Sequence, residues 1–95
     1  SMPDLNKIII ESLKEIGQEN KIDTYDHDTP LYNGVDGLDS LGLVTLLINI
    51  EQKIEDLYDI NITIADEKAM SQKNSPFKSI GSLSKYLENI LKKND

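Results

Sequence analysis

An all-α fold, a small four-helix bundle with a long first loop and a short third helix, is predicted by three observations. Apolar residues recur at spacings of three and four over three separate stretches, as one buried helix face requires. Pro30, Gly34, Gly37 and Pro76 fall between those stretches. The only alternating run, Ile60, Ile62 and Ile64, would read as a short strand by period alone, but it has no second strand to pair with, so the strand reading is declined. Ninety-five residues make one domain, 1–95, with a single modest core built by helix on helix.

The first helix is expected from Asp4 to about Asn20, with Leu5, Ile8, Ile9, Leu13 and Ile16 on one face and Gly17 weakening its last turn. From Lys21 to Asp39 the chain is irregular. Pro30, Gly34 and Gly37 break it, while Ile22, Leu31, Tyr32, Val35 and Leu38 give it apolar residues with which to pack down. Loops of that length in a small domain tend to be functional.

The second helix is expected from Ser40 to about Tyr58. At 100° per residue its apolar positions fill an arc of about 200°, wider than one core face needs. Leu43, Leu46, Leu47, Ile50, Ile54 and Leu57 form the middle of the arc. Leu41, Val44 and Ile48 lie toward the edge in line with Ser40, with Glu51 and Glu55 beside them, and are either a docking stripe or more core. Thr63-x-x-Asp66 suggests the start of a short third helix from about Ala65 to Ser71. After a break at Asn74-Ser75-Pro76, Ser79 caps a last helix bearing Ile80, Leu83, Leu87, Ile90 and Leu91, and the chain ends, Lys92 and Lys93 included, are expected to fray.

Composition narrows the function classes. The net charge of −7 combines 17 acidic residues with 10 basic ones, all lysine. Without arginine or a net basic surface, nucleic acid is not an expected partner, and the acidity either steers the domain toward basic protein surfaces or merely keeps it in solution. The absence of cysteine removes disulfides and thiolate metal sites. No stretch is long and apolar enough to span a bilayer and no leader opens the chain, so a cytoplasmic monomer is expected; Ser1 before Met2 reads as a cloning scar.

One tetrapeptide carries chemistry. Asp39-Ser40-Leu41-Gly42 places a hydroxyl where a polar loop gives way to the longest helix, and the positive end of a helix favours an anion there. Taken alone, Ser40 could equally be an N-cap that satisfies a backbone donor. The longer run, Thr29-Pro30-Leu31-Tyr32-Asn33-Gly34-Val35-Asp36-Gly37-Leu38-Asp39-Ser40-Leu41-Gly42-Leu43-Val44, resembles the loop and modified-serine motif of acyl carrier proteins, and the likeness covers roughly Leu5 to Leu91.

That resemblance implies that Ser40 receives 4′-phosphopantetheine from coenzyme A and that the thiol of that group holds an acyl or aminoacyl cargo as a thioester. It implies a phosphopantetheinyl transferase with Mg²⁺, an acyl ligase or synthase, and an acyltransferase as partners. By position it makes Asp39 an acidic contact, Leu41, Val44 and Ile48 apolar contacts, and Glu51 the continuation of the acidic side. No metal site and no catalytic residue is expected in the chain itself.

Some residues depart from the fatty-acid carriers. Gly42, Thr45 and Asn49 make the start of the second helix less acidic, and about one extra helical turn lies between Ile50 and Ile62. The Gly-x-Leu-Asp-Ser-type approach is closer to D-alanyl and other stand-alone carriers, and the run from Ala65 to Phe77 is similar to carriers of saccharide or secondary biosynthesis. Gly42 also costs the helix about 1 kcal/mol relative to alanine. His27, the sole imidazole, lies between Asp26 and Asp28 but has no second imidazole or cysteine to complete a zinc site. Two rival readings stand beside the carrier: an unmodified helical interaction module using the same stripe, and a small hydrolase using Ser40, for which no effective base is evident.

Overall fold

In a computed structural model of the chain, which describes residues 3–17, 25–32, 37–71 and 76–93, four helices follow one another. They are α1 (Leu5–Glu15), α2 (Ser40–Tyr58), α3 (Glu67–Ser71) and α4 (Ile80–Lys93). α1 packs against both α2 and α4. The described residues contain no strand; two isolated bridges, Pro30 with Ser79 and Tyr32 with Leu38, tie the first loop down.

α1 starts where the Asp4 carboxylate accepts from the Lys7 amide at 3.2 Å. Leu5, Ile8, Ile9 and Leu13 are buried on one face. The helix stops at Glu15, short of the expected end near Asn20. Gly17 takes a left-handed conformation at φ +63°, which turns the chain out of the helix; residues 18–20 lie outside those described.

α2 has the expected bounds. Leu43, Leu46, Leu47, Ile50 and Ile54 are wholly buried. Leu57, expected in the same row, is instead 62% exposed. Periodicity fixes the direction in which a residue points but not how far along the axis neighbouring elements reach, and the core cover ends after Ile54. Asp59 then closes the helix in the left-handed region at φ 56°.

Beyond α2 residues 59–64 form neither helix nor strand, so the declined strand at Ile60, Ile62 and Ile64 is absent from the described residues. Ile62 and Ile64 point inward and Ile60 is half-buried. α3 begins later than expected, because Asp66 and not Thr63 is the cap, its carboxylate accepting from the Ala69 amide at 2.7 Å. Ser79 caps α4 as predicted: its Oγ accepts from the Ser82 amide at 3.1 Å, and Ser82 Oγ accepts in return from the Ser79 amide at 2.9 Å. α4 holds its helix through Lys93 instead of fraying at Lys92, with Lys92 paired to Glu88 at 3.0 Å.

A polar clasp joins α1 to α2. Asn49 Nδ2 donates to Glu15 Oε1 at 3.3 Å, and Lys53 Nζ donates to Glu15 Oε2 at 2.8 Å. The Lys53 bond, and then the Asn49 bond, hold the Glu15 carboxyl below the usual glutamate value. A depressed carboxyl contributes stability above its unfolded-state pKa and loses it as pH falls through the folded value. An NMR titration of Glu15 is therefore expected to move upward in Lys53→Met, with the acid limb of the stability curve becoming shallower; an unmoved titration would dissolve the clasp.

Ser12 is wholly buried on α1, and its Oγ has no hydrogen-bond partner among the described residues. An unmet buried hydroxyl costs about 1–3 kcal/mol, and alanine is the better helix former. Ser12→Ala is expected to raise the unfolding free energy by about 1–2 kcal/mol, read from the denaturant midpoint at unchanged slope. A loss of stability would mean that the hydroxyl is satisfied in solution.

Candidate functional site

The site is assembled by the first loop and the start of α2. Asp26 organises the loop locally: its Oδ1 accepts from the Asp28 amide at 2.9 Å, and its own amide donates to Thr29 Oγ1 at 2.8 Å. Backbone bonds then fasten the loop to the approach and first turn of α4. The Gly81 amide donates to His27 O at 2.8 Å, Ile80 to Thr29 O at 3.0 Å, Leu31 to Lys78 O at 2.9 Å and Tyr32 to Phe77 O at 3.1 Å.

Gly81 permits this approach, since a Cβ there would overlap the His27 ring. The histidine is thus laid against α4. Among the described residues no group of three or more metal-ligating side chains is gathered.

The Leu38 amide donates to Leu31 O at 2.7 Å, so the chain returns to its starting point and buries both leucines. The next two residues enter α2. Asp39 is extended at φ −83°, ψ −177°, and its Oδ1 accepts from the Gly42 amide at 2.7 Å. The N-cap is therefore Asp39, and Ser40, expected at the cap, is the first helical residue. A carboxylate at the cap satisfies the amide two residues past Ser40.

Gly42 is more than a weak helix former. A Cβ there would stand 3.2 Å from Asp39 Oδ1 and 3.3 Å from Leu38 Cδ2, so glycine gives the cap and the buried leucine room to close on the helix.

Ser40 is exposed, with Tyr32 OH 3.5 Å from its Oγ. Tyr32 is half-buried, and nothing in the sequence had set it beside the serine; the contact exists because the Tyr32–Phe77 bond and the Leu31–Leu38 closure bring the two ends of the loop together. An open recess of about 320 Å³ lined by Asp28, Pro30, Lys78 and Ser79 borders the loop, and Ser40 is not part of its lining.

Along the same face of α2, Leu41 is 74% exposed, Ile48 is 54% exposed and Val44 is half-buried. Helical spacing sets these three in one stripe leading away from Ser40. Asp39 is exposed at its head. Glu51 does not join the stripe as a solvated acid. Its Oε2 accepts from the Ile64 and Ala65 amides at 2.5 and 3.0 Å, pinning the extended segment to α2. No sequence signal marks that role, since the partners are backbone groups more than three helical turns away along the chain.

No helix of the described residues is long and apolar enough to cross a membrane. No protein family, curated protein or solved structure matches the chain.

Proposed function

We propose that the protein is a carrier whose Ser40 is esterified by 4′-phosphopantetheine, the thiol of that arm holding an acyl or aminoacyl group for delivery to partner enzymes. The observation that carries this reading is the exposed Ser40 hydroxyl at the first turn of a helix capped by another residue. The positive helix end lowers the electrostatic cost of a phosphodiester there. Asp39, occupied with the Gly42 amide, remains exposed and can meet a basic enzyme surface.

Catalysis by Ser40 itself fits less well. The Tyr32 phenol stands beside it, the sole imidazole is laid against Gly81, and the serine does not line the recess beside the loop. The chain would then be a substrate of its partners and not an enzyme. A phosphopantetheinyl transferase loads the arm with Mg²⁺ and coenzyme A, an acyl ligase or synthase charges it, and an acyltransferase unloads it. The arm acts by raising the local concentration of the thioester at each docked enzyme. Leu41, Val44 and Ile48 form the apolar contact for those enzymes, and a bacterial cytoplasm with a monomeric chain is the setting this implies. The same exposed stripe supports a second reading, an interaction module that is never modified.

Incubation with coenzyme A, Mg²⁺ and a broad-specificity transferase separates the two. Mass spectrometry is expected to record one added phosphopantetheinyl group, absent in Ser40→Ala, which keeps its fold because the side chain is exposed. An unmodified wild-type chain after treatment with several transferases would favour the module.

A further inference from the structure

The last turn of α2 breaks three local rules at once. Helix C-termini carry partial negative charge and favour cations, yet Glu55, Asp56 and Asp59 gather there with no basic residue in the turn. The left-handed closing position favours glycine or asparagine, yet Asp59 occupies it at φ 56°. Large apolar residues are ordinarily covered, yet Leu57 and Tyr58 are 62% and 40% exposed.

All three carboxylate residues are exposed. Among the described residues the ion pairs join Lys53 to Glu11 and Glu15 and Lys92 to Glu88, so none neutralises this turn. At 100° per residue Leu57 and Tyr58 flank the side of α2 that buries Ile50 and Ile54, while Glu55 and Asp56 lie around the other side. An occupant that meets all of them therefore sits over the end of the helix, with apolar groups against Leu57 and Tyr58 and cations against the helix end and its carboxylates.

We propose that the C-terminal turn of α2 is a docking surface for a partner protein that presents an apolar centre ringed by lysine or arginine. Charge selects this occupant over the alternatives. A second copy packed about a two-fold axis would set Glu55, Asp56 and Asp59 against the same residues, in chains of net charge −7 each. A membrane surface rich in anionic lipid would be repelled. The surface lies 18 residues along one helix from Ser40, about 27 Å at 1.5 Å per residue. It does not depend on the modification of Ser40, and a protein seated there leaves the serine end of α2 open.

The test uses the full chain, ¹⁵N-labelled, titrated with a synthetic lysine–leucine amphipathic peptide and with its glutamate–leucine counterpart. The lysine peptide is expected to shift the amides of residues 55–60 first, with affinity falling at least about tenfold between low and high salt. The double variant Leu57→Ser/Tyr58→Ser is expected to weaken binding by about tenfold while the helical circular dichroism stays unchanged, both side chains being exposed. Asp59→Asn, which suits the left-handed position better, is expected to stabilise the free chain and to weaken the peptide complex.

Shifts centred on Leu41 to Ile48, equal binding of the glutamate peptide, or undiminished affinity in the double variant would each overturn the proposal. So would concentration-dependent dimerisation abolished by that double variant. Loading of Ser40 is measured separately, so its success or failure leaves this result standing.

Discussion

Phe77→Ala is expected to lower the unfolding free energy by about 3–5 kcal/mol, the usual cost of removing a buried aromatic ring. Phe77 is wholly buried and packs edge to face on Tyr86, with ring centroids 5.6 Å apart and planes at 89°. Domains of this size have about 5–15 kcal/mol in total, so the variant should unfold at far lower denaturant and melt by tens of degrees less heat than the wild type requires. The loss reaches the candidate site as well. The carbonyl of Phe77 accepts from the Tyr32 amide, and Tyr32 OH stands beside Ser40 Oγ, so the ring is the foundation on which the loop and its serine rest. Hydrogen exchange at Tyr32 and Leu38 should accelerate in step with the global loss. A destabilisation under about 1 kcal/mol would remove Phe77 from the core.

α2 was legible because two signals coincide at each of its ends. Asp39 precedes a long apolar period, and the period lapses at Tyr58, so the pattern marks both bounds of the helix even though its burial ends at Ile54. The end of α1 was not legible to that standard: Gly17 can be tolerated inside a helix, and only its backbone angle settles that it terminates one. α3 was placed two residues early because Thr63 and Asp66 both look like caps, and the choice between them depends on which side chain reaches the Ala69 amide.

The site divides the same way. Ser40, Leu41 and Ile48 could be set on one line of the helix from angle alone, which left Leu41 and Ile48 open between docking stripe and core; the structure leaves all three exposed. Tyr32 and Leu57 were not legible. One depends on a loop closing through backbone bonds between distant residues, the other on where axial cover stops, and neither quantity is written in local spacing. The cap falls on Asp39, whose carboxylate accepts from the Gly42 amide, and Ser40 becomes the first helical residue.

Glu51 is the residue for which the structure most changes the expected result. As a solvated docking acid it should tolerate charge reversal without loss of stability. As the acceptor for the Ile64 and Ala65 amides it should not, because Ile64 is wholly buried and its N–H would be left without a partner. Hydrogen bonds to a charged group are worth about 1.5–3 kcal/mol each, so Glu51→Ala is expected to cost about 2–4 kcal/mol and Glu51→Lys at least as much. Glu51→Gln keeps a carbonyl acceptor and should cost about 1 kcal/mol. Ile48→Ala and Leu41→Ala, at exposed positions, should stay within about 0.5 kcal/mol of wild type. Denaturant midpoints for the five variants would check this ordering, and a Glu51→Lys protein as stable as Ile48→Ala would return the carboxylate to solvent. If the ordering holds, a transfer defect in Glu51→Lys says nothing about docking, because the extended segment and α3 lose their anchor together. Defects in Leu41→Ala and Ile48→Ala, measured on chains of unchanged stability and Ser40 loading, are then what separates a docking stripe from a bare helix face.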